Sequence, residues 1–275
     1  MLLYRMEAKP WFRTARIGLV ELTEQFVPKQ ETNRLLDLKS SKGKLFAEDP
    51  RWVRFGPSWL IAYTDSSEVL MASLSRNLEI MDSWTLKRPY NPVKWSPEKN
   101  WAVFEHNEEL HAVYRICPHS IVKIVGSNVT PEHSTSEHTK DGIHTSFWKY
   151  GHPRGGASPV LHKGKWFHFF HSSVIHDNPG FNRNGKVKQY HCGLYVFNDV
   201  PPFSVCAKTK EPIILYTFPN EFEKDRPSQH NVVFPCGATR ALSDDGWIIS
   251  YGVNDYRLRI TYVSDESIDR ITESI

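Results

Sequence analysis

Apolar positions come in short runs set off by polar turns. Residues 59–63 (WLIAY), 110–114 (LHAVY), 166–170 (WFHFF) and 247–251 (WIISY) are aliphatic, β-branched or aromatic, and Gly, Pro, Asn or Asp bounds them. Runs of that length and composition predict strands. No long stretch keeps the 3.6-residue spacing of an amphipathic helix. The helix candidates are residues 268–274 and 33–38.

The four runs resemble one another. Each ends on an aromatic residue, Tyr63, Tyr114, Phe170 or Tyr251, and each follows a turn: 55–58 (FGPS), 106–109 (HNEE), 162–165 (HKGK) and 243–246 (SDDG). Their spacing of about 50 residues, with one longer gap, matches a four-stranded propeller blade. The gap has room for a further blade around residues 190–198, and five blades of ~55 residues use the whole chain. The pattern therefore predicts an all-β chain, a five-bladed β-propeller forming a single domain over residues 1–275, with a β-sandwich of similar strand count as the alternative. Loops beside the repeated strands then face a central funnel, where polar residues are to be weighed as a site. The Ser/Thr/His-rich stretch 127–152 and the Asn/Gly/Lys-rich stretch 176–188 are predicted as long loops over that funnel, a lid or an acceptor groove.

Composition narrows the classes. A chain of 275 residues with 40% hydrophobic content buries a sizeable core. Lys and Arg are scattered and the net charge is only +3, which argues against a nucleic-acid partner. Cys117, Cys192, Cys206 and Cys236 form no CxxC pair, so buried free thiols are expected rather than zinc or disulfides. His133, His138, His144 and His152 lack the spacing of a metal site, and no Gly-rich nucleotide fingerprint occurs. No metal and no cofactor are expected. Neither a signal peptide nor a membrane span is legible, and a cytoplasmic protein is expected.

Polar groups that could do chemistry lie beside the repeated strands: Glu48-Asp49-Pro50-Arg51 before the first, Glu98-Lys99-Asn100-Trp101 and Arg115 around the second, 154–159 (RGGASP) and His171 around the third, and 231–237 (NVVFPCG) with 251–255 (YGVND) around the last. In this order, with 190–199 (YHCGLYVFND) and 211–215 (EPIIL) between, the motifs resemble glycoside hydrolase family 130 over most of the chain. The resemblance implies a five-bladed propeller acting on β-mannosides, a phosphorylase in most members, a hydrolase in some, with mannosyltransferase kin. Its partners would be a carbohydrate and phosphate or a sugar phosphate.

The resemblance further implies that Asp49, Arg51 and Asp255 lie in the sugar site and that Arg115 and His171 hold phosphate. Arg154, beside two glycines that let an anion approach the backbone, joins them, and Arg51 is counted with these groups as holding phosphate or a phosphate-bearing leaving group. One match fails: where phosphorylases place the aspartate that acts as general acid, this chain has Glu98-Lys99-Asn100. An amide has no proton to give near neutral pH. Transfer from a donor whose leaving group is already phosphate, which departs as a stable anion, needs less acid help, so phosphorolysis or transfer from an activated sugar is favoured over simple hydrolysis, with a glycoside hydrolase as an alternative. Asn100 with Glu98 is then placed at the glycosidic oxygen, and Asp49 orients hydroxyls or serves as base. Trp101 and Trp148 lie outside the repeat and are candidates to stack on a sugar face, whereas Trp59, Trp166, Trp247 and Tyr251 are read as core. Each assignment has a plainer counterpart: Asp49 as a turn residue before Pro50, Asn100 as a turn cap, Arg115 in an ion pair, Arg154 on an exposed loop, His171 as a core histidine, Asp255 in a turn. A catalytically inactive sugar-binding propeller is the competing class.

Overall fold

Hairpin turns are where the sequence pattern first becomes geometry. The turn ahead of each repeated strand contains residues with positive φ: Gly56 (54°), Asn107 (50°) with Glu108 (63°), Lys163 (49°) with Gly164 (70°), and Asp244 (54°). The first three are two-residue connections, whose hand matches the right-handed twist of the strands they join, and the fourth, residues 241–245, is longer.

The computed structural model describes residues 1–8, 14–65, 67–90, 97–135, 147–177, 185–213, 215, 230–254 and 257–275. The chain is an all-β five-bladed β-propeller built from five sheets. Its contacts fall into two units, Met1–Tyr114 with Ile121–His133, and Arg115–Ser120 with Ser134–Ile275.

The first unit holds three sheets. Strands β1 (Leu2–Ala8), β2 (Thr14–Val20) and β3 (Arg34–Leu36) form one, and β4 (Glu48–Phe55), β5 (Ser58–Thr64), β6 (Val69–Leu74) and β7 (Ile80–Thr85) form the next. The third contains β8 (Ala102–His106), β9 (Glu109–Arg115), β10 (Ser120–Val125) and β11 (Asn128–Ser134). Strands β5 and β6 are buried on both faces, which is why they read as unbroken apolar runs. Ile61, Tyr63, Leu70 and Ala72 join a core with Leu3, Ile17 and Leu19. Their neighbours Leu60, Ala62, Val69 and Met71 join a second core with Trp101, Val103 and Ala112.

The second unit holds two sheets. One contains β12 (Arg154–Gly155), β13 (Val160–His162), β14 (Lys165–Asp177), β15 (Lys186–Asn198), β16 (Val205–Thr209) and β17 (His230–Asn231). The other contains β18 (Val233–Arg240), β19 (Gly246–Val253) and β20 (Arg257–Ser264). After the short helix α1 (Asp265–Asp269), β21 (Thr272–Ser274) adds to the outer edge of β16. Phe169, Leu194, Trp247, Ile249 and Tyr251 are among the residues of this unit's core.

Several expectations need correction. The stretch 190–198 is not a separate blade: β15 pairs with β14 along its whole length, and the fifth sheet is the N-terminal one, which lacks the aromatic signature of the repeat. Residues 33–38 contain strand β3, and helix occupies only Asp265–Asp269 before the chain turns to strand. The stretch read as a loop at 127–152 contains β11, and the one at 176–188 contains the ends of β14 and β15, paired His176 to Val187 and Asp177 to Lys186. Residues 136–146 and 178–184 lie outside the described residues, and with them His138 and His144.

Candidate active site

In the second unit His171 lies in the middle of β14 (Lys165–Asp177); in the sheets β4–β7 and β8–β11 the candidates fall at or just before the start of the first strand, or at the end of the second. In an antiparallel pair these are the same edge. Glu48 at the start of β4 faces Thr64 at the end of β5, and Arg154 in β12 faces His171 in β14.

In the first unit, Asp49 lies in strand rather than in a turn, at a register shift between Glu48 and Arg51. Its φ of 49° puts it in the left-handed region, where Asp is tolerated better than most residues. The Asp49 carboxylate accepts from Arg5 of β1 at 3.2 Å. Arg51 is only 4% exposed, and its Nη1 donates to the Asp49 carbonyl at 2.9 Å. Arg51 therefore braces the bulge that presents Asp49.

Glu98 is gripped from below. One of its carboxylate oxygens accepts from the Trp101 indole N–H at 3.0 Å, the other from the Tyr114 hydroxyl at 3.1 Å. The Trp101 and Tyr114 rings meet edge to face at 5.3 Å, and Tyr90 packs on Tyr114 at 5.4 Å with its own ring exposed. Trp101 is 2% exposed and belongs to the core, so its part is to hold Glu98; it does not offer a face to a sugar. Asn100, half-buried, takes φ of 64°, in the left-handed region that Asn tolerates better than most residues. Behind Glu98, Arg88 contacts both oxygens of the Glu68 carboxylate, at 3.0 and 3.3 Å.

In the second unit, His171 is 4% exposed and packs between the Tyr190 ring at 6.0 Å and the Phe234 ring at 4.4 Å. Its strand partner Arg154 is exposed, as is Arg115 at the end of β9. The glycines after Arg154 do not open the backbone to an anion. Both are buried, and a Cβ on Gly156 would meet the Phe169 and Pro235 carbonyls at 2.6 and 2.9 Å, so Gly156 is required for close strand packing. Trp148 is buried and donates its indole N–H to Ser172 Oγ at 2.7 Å, which removes it as a stacking platform. Trp166, Trp247 and Tyr251 are buried, but Trp59, read as core, is 43% exposed and packs edge-on against Trp52. Asp255 lies outside the described residues; its neighbour Asn254 accepts from the Val232 amide at 2.8 Å. Beneath this edge runs a buried chain, His168 to Tyr195 at 3.1 Å and Tyr195 to His119 at 3.3 Å. Burial pushes the Tyr195 phenol well above its ordinary value.

Sequence reasoning does not reach Arg5, Asp65, Glu68, Arg88 or Tyr114 as parts of this edge. Tyr114 is visible only as a strand-ending aromatic, and the others sit in no motif. Among the described residues no group of three or more His, Cys, Asp or Glu is arranged to hold a metal ion, and no helix is long and apolar enough to cross a membrane.

A family model described as beta-1,4-mannooligosaccharide phosphorylase matches residues 1–273. No curated protein matches the sequence. Among solved structures, a glycosyl hydrolase from Bacteroides ovatus superposes with a TM-score of 0.66 at 16% identity, covering 96% of this chain and 80% of its own. A structure described for the GH130 family of mannoside phosphorylases, as containing glycoside hydrolases that target beta-1,2 mannosidic linkages in Candida mannan, gives 0.61 at 14% identity, covering 96% and 80%. A GDP-Man-dependent mannosyltransferase from Leishmania mexicana gives 0.53 at 14%, covering 94% and 79%. At such identities the likeness to solved structures establishes the fold.

Proposed function

Since the chain belongs to glycoside hydrolase family 130, we propose that it transfers a glycosyl unit, mannosyl in the first instance, to or from phosphate. In one direction this is phosphorolysis of a β-mannoside. In the other, phosphate leaves C1 of an activated sugar while an acceptor hydroxyl attacks and loses its proton.

The observation that carries the reading is the pairing of Asn100 with a gripped Glu98. Asn100 can donate a hydrogen bond to a sugar oxygen but not a proton. Glu98 receives donors on both oxygens from Trp101 and Tyr114, which suits a carboxylate that accepts. A carboxylate with lone pairs to spare can take the proton of an acceptor hydroxyl, so the direction of transfer from a phosphate-bearing donor fits these residues better than hydrolysis, which needs an acid as well as a base. Asp49, presented by the bulge that Arg51 braces, orients sugar hydroxyls, and Asp255 serves the same purpose. Arg115, Arg154 and His171 hold phosphate.

Incubation with mannose 1-phosphate and mannose or mannobiose as acceptor should release phosphate. An Asn100→Asp variant, which adds a second group able to exchange a proton with the glycosidic oxygen, should speed phosphorolysis and its reverse together by tenfold or more, and Asn100→Ala should lose turnover in both directions. The second reading, a sugar-binding propeller without turnover, is supported by the same Asn100. It predicts unchanged affinity in one of the two variants and no phosphate release from either, a result that would end the enzymatic reading.

A further inference from the structure

Asp65 directly follows β5 and is 8% exposed. Its Oδ1 accepts from the Ser67 amide at 3.0 Å, the Ser67 hydroxyl at 2.8 Å and the Glu68 amide at 2.9 Å. Its Oδ2 accepts from the Ser41 amide at 2.8 Å and from the Ser41 hydroxyl. Five donors on one carboxylate are more than a turn needs.

The Ser67 carbonyl accepts the Glu98 amide at 2.9 Å. It also lies 3.3 Å from Arg88 Nη2, and Arg88 grips the Glu68 carboxylate. Thr64 Oγ1 donates to the Glu68 carbonyl at 2.9 Å. The backbone entering Glu98-Lys99-Asn100 thus hangs on the 67–68 segment, and that segment hangs on Oδ1 of Asp65. Oδ2 serves a different arm, the turn after β3: there the Gly43 amide donates to the Ser40 carbonyl at 2.8 Å, and the Tyr63 hydroxyl caps the Lys39 carbonyl at 2.8 Å.

We propose that Asp65 is a positioning residue for the candidate site, setting the height and direction of the Glu98–Asn100 backbone through Ser67. It rests on the reading of Glu98 and Asn100 as the chemical centre, but its mechanical part stands independently. With Glu98 fixed at its amide by Ser67 and at its carboxylate by Trp101 and Tyr114, main chain and side chain are held at opposite ends. A shift of the 67–68 segment moves the carboxylate relative to the ring clamp.

The two arms make the idea testable, because Ser41→Ala and Ser67→Ala each remove one hydroxyl donor from the same carboxylate and should cost similar stability. Hydrogen exchange at the Glu98 amide in the full chain is the readout. Asp65→Asn and Ser67→Ala are expected to speed exchange there by about tenfold or more, while Ser41→Ala leaves it within about twofold. Turnover with mannose 1-phosphate should fall in parallel through kcat, with KM little changed. Unchanged Glu98 exchange in both Asp65→Asn and Ser67→Ala, or equal acceleration in Ser41→Ala, would overturn the proposal. Expected exchange behaviour with no turnover in the unaltered protein would overturn the functional reading and leave the positioning role standing.

Discussion

At the scale of single residues, the Asp65 carboxyl sits under opposed influences. Burial raises its pKa, while hydrogen bonds from Ser41, the Glu68 amide and Ser67 lower it, and the result is a value of about 2 against an ordinary 3.8. A group whose folded value lies below its unfolded one stabilises the fold above the unfolded pKa and loses that contribution as pH falls toward the folded one. From those values the contribution is about 2 kcal/mol at neutral pH, declining between about pH 4 and pH 2. Asp65→Asn should lower neutral stability by about that much and flatten the acid limb of a pH-stability curve measured by urea unfolding. A variant curve with the same acid slope as the unaltered protein would show that the carboxylate is not the titrating group. In the sequence Asp65, with Ser67 and Glu68 close behind it, reads as no more than a local turn, and what is not legible is that its other oxygen is held by Ser41, far off in the chain. Asn100 was legible as an oddity since it interrupts a motif. Trp101 looks free in the sequence because it lies outside the repeat, whereas its indole N–H holds Glu98 and its ring packs on Tyr114.

At the scale of elements, the repeated turns did most to make the fold legible. Asn107 and Glu108 both adopt positive φ between β8 and β9, although Glu carries a Cβ penalty in that region that Gly does not. Glu108→Gly creates the Asn-Gly pair that a two-residue hairpin prefers. It should stabilise by roughly 0.5–1 kcal/mol and raise the melting temperature by about 2 °C, read by thermal unfolding. A fall in melting temperature would mean that the turn bears no strain at Glu108. The same signature explains the misplaced blade. Sheet β1-β2-β3 has no aromatic-ended strand after a Gly or Asn turn, so the repeat cannot see it. The long gap was filled instead by β15, an apolar strand that belongs to a blade already begun.

At the scale of the molecule, the order of strands along the chain departs from the order within sheets. The second unit starts its larger sheet with Arg154, builds the three strands of the next sheet from Val233 to Ser264, and only then sends β21 back to complete the first. β21 pairs Ala207 with Ser274, Lys208 with Glu273 and Thr209 with Thr272, and the Lys210 amide donates to the Ile271 carbonyl. Ile268 on α1 is buried in this unit's core, which orients the returning segment. Without β21, the backbone groups of β16 on that side would have no ladder partner and would present a strand edge to other chains. Removing residues 270–275 should therefore cost roughly 2–4 kcal/mol and bring concentration-dependent association, seen by thermal unfolding and size-exclusion chromatography. Glu273→Gln, which alters only the partly exposed contact with Lys208 at 3.5 Å, should cost less than about 1 kcal/mol and leave the protein no more associated than before. If the two variants behaved alike, β21 would be an ornament on the sheet; if only the deletion associates, the segment is the guard of an edge that stays open until β21 pairs with β16.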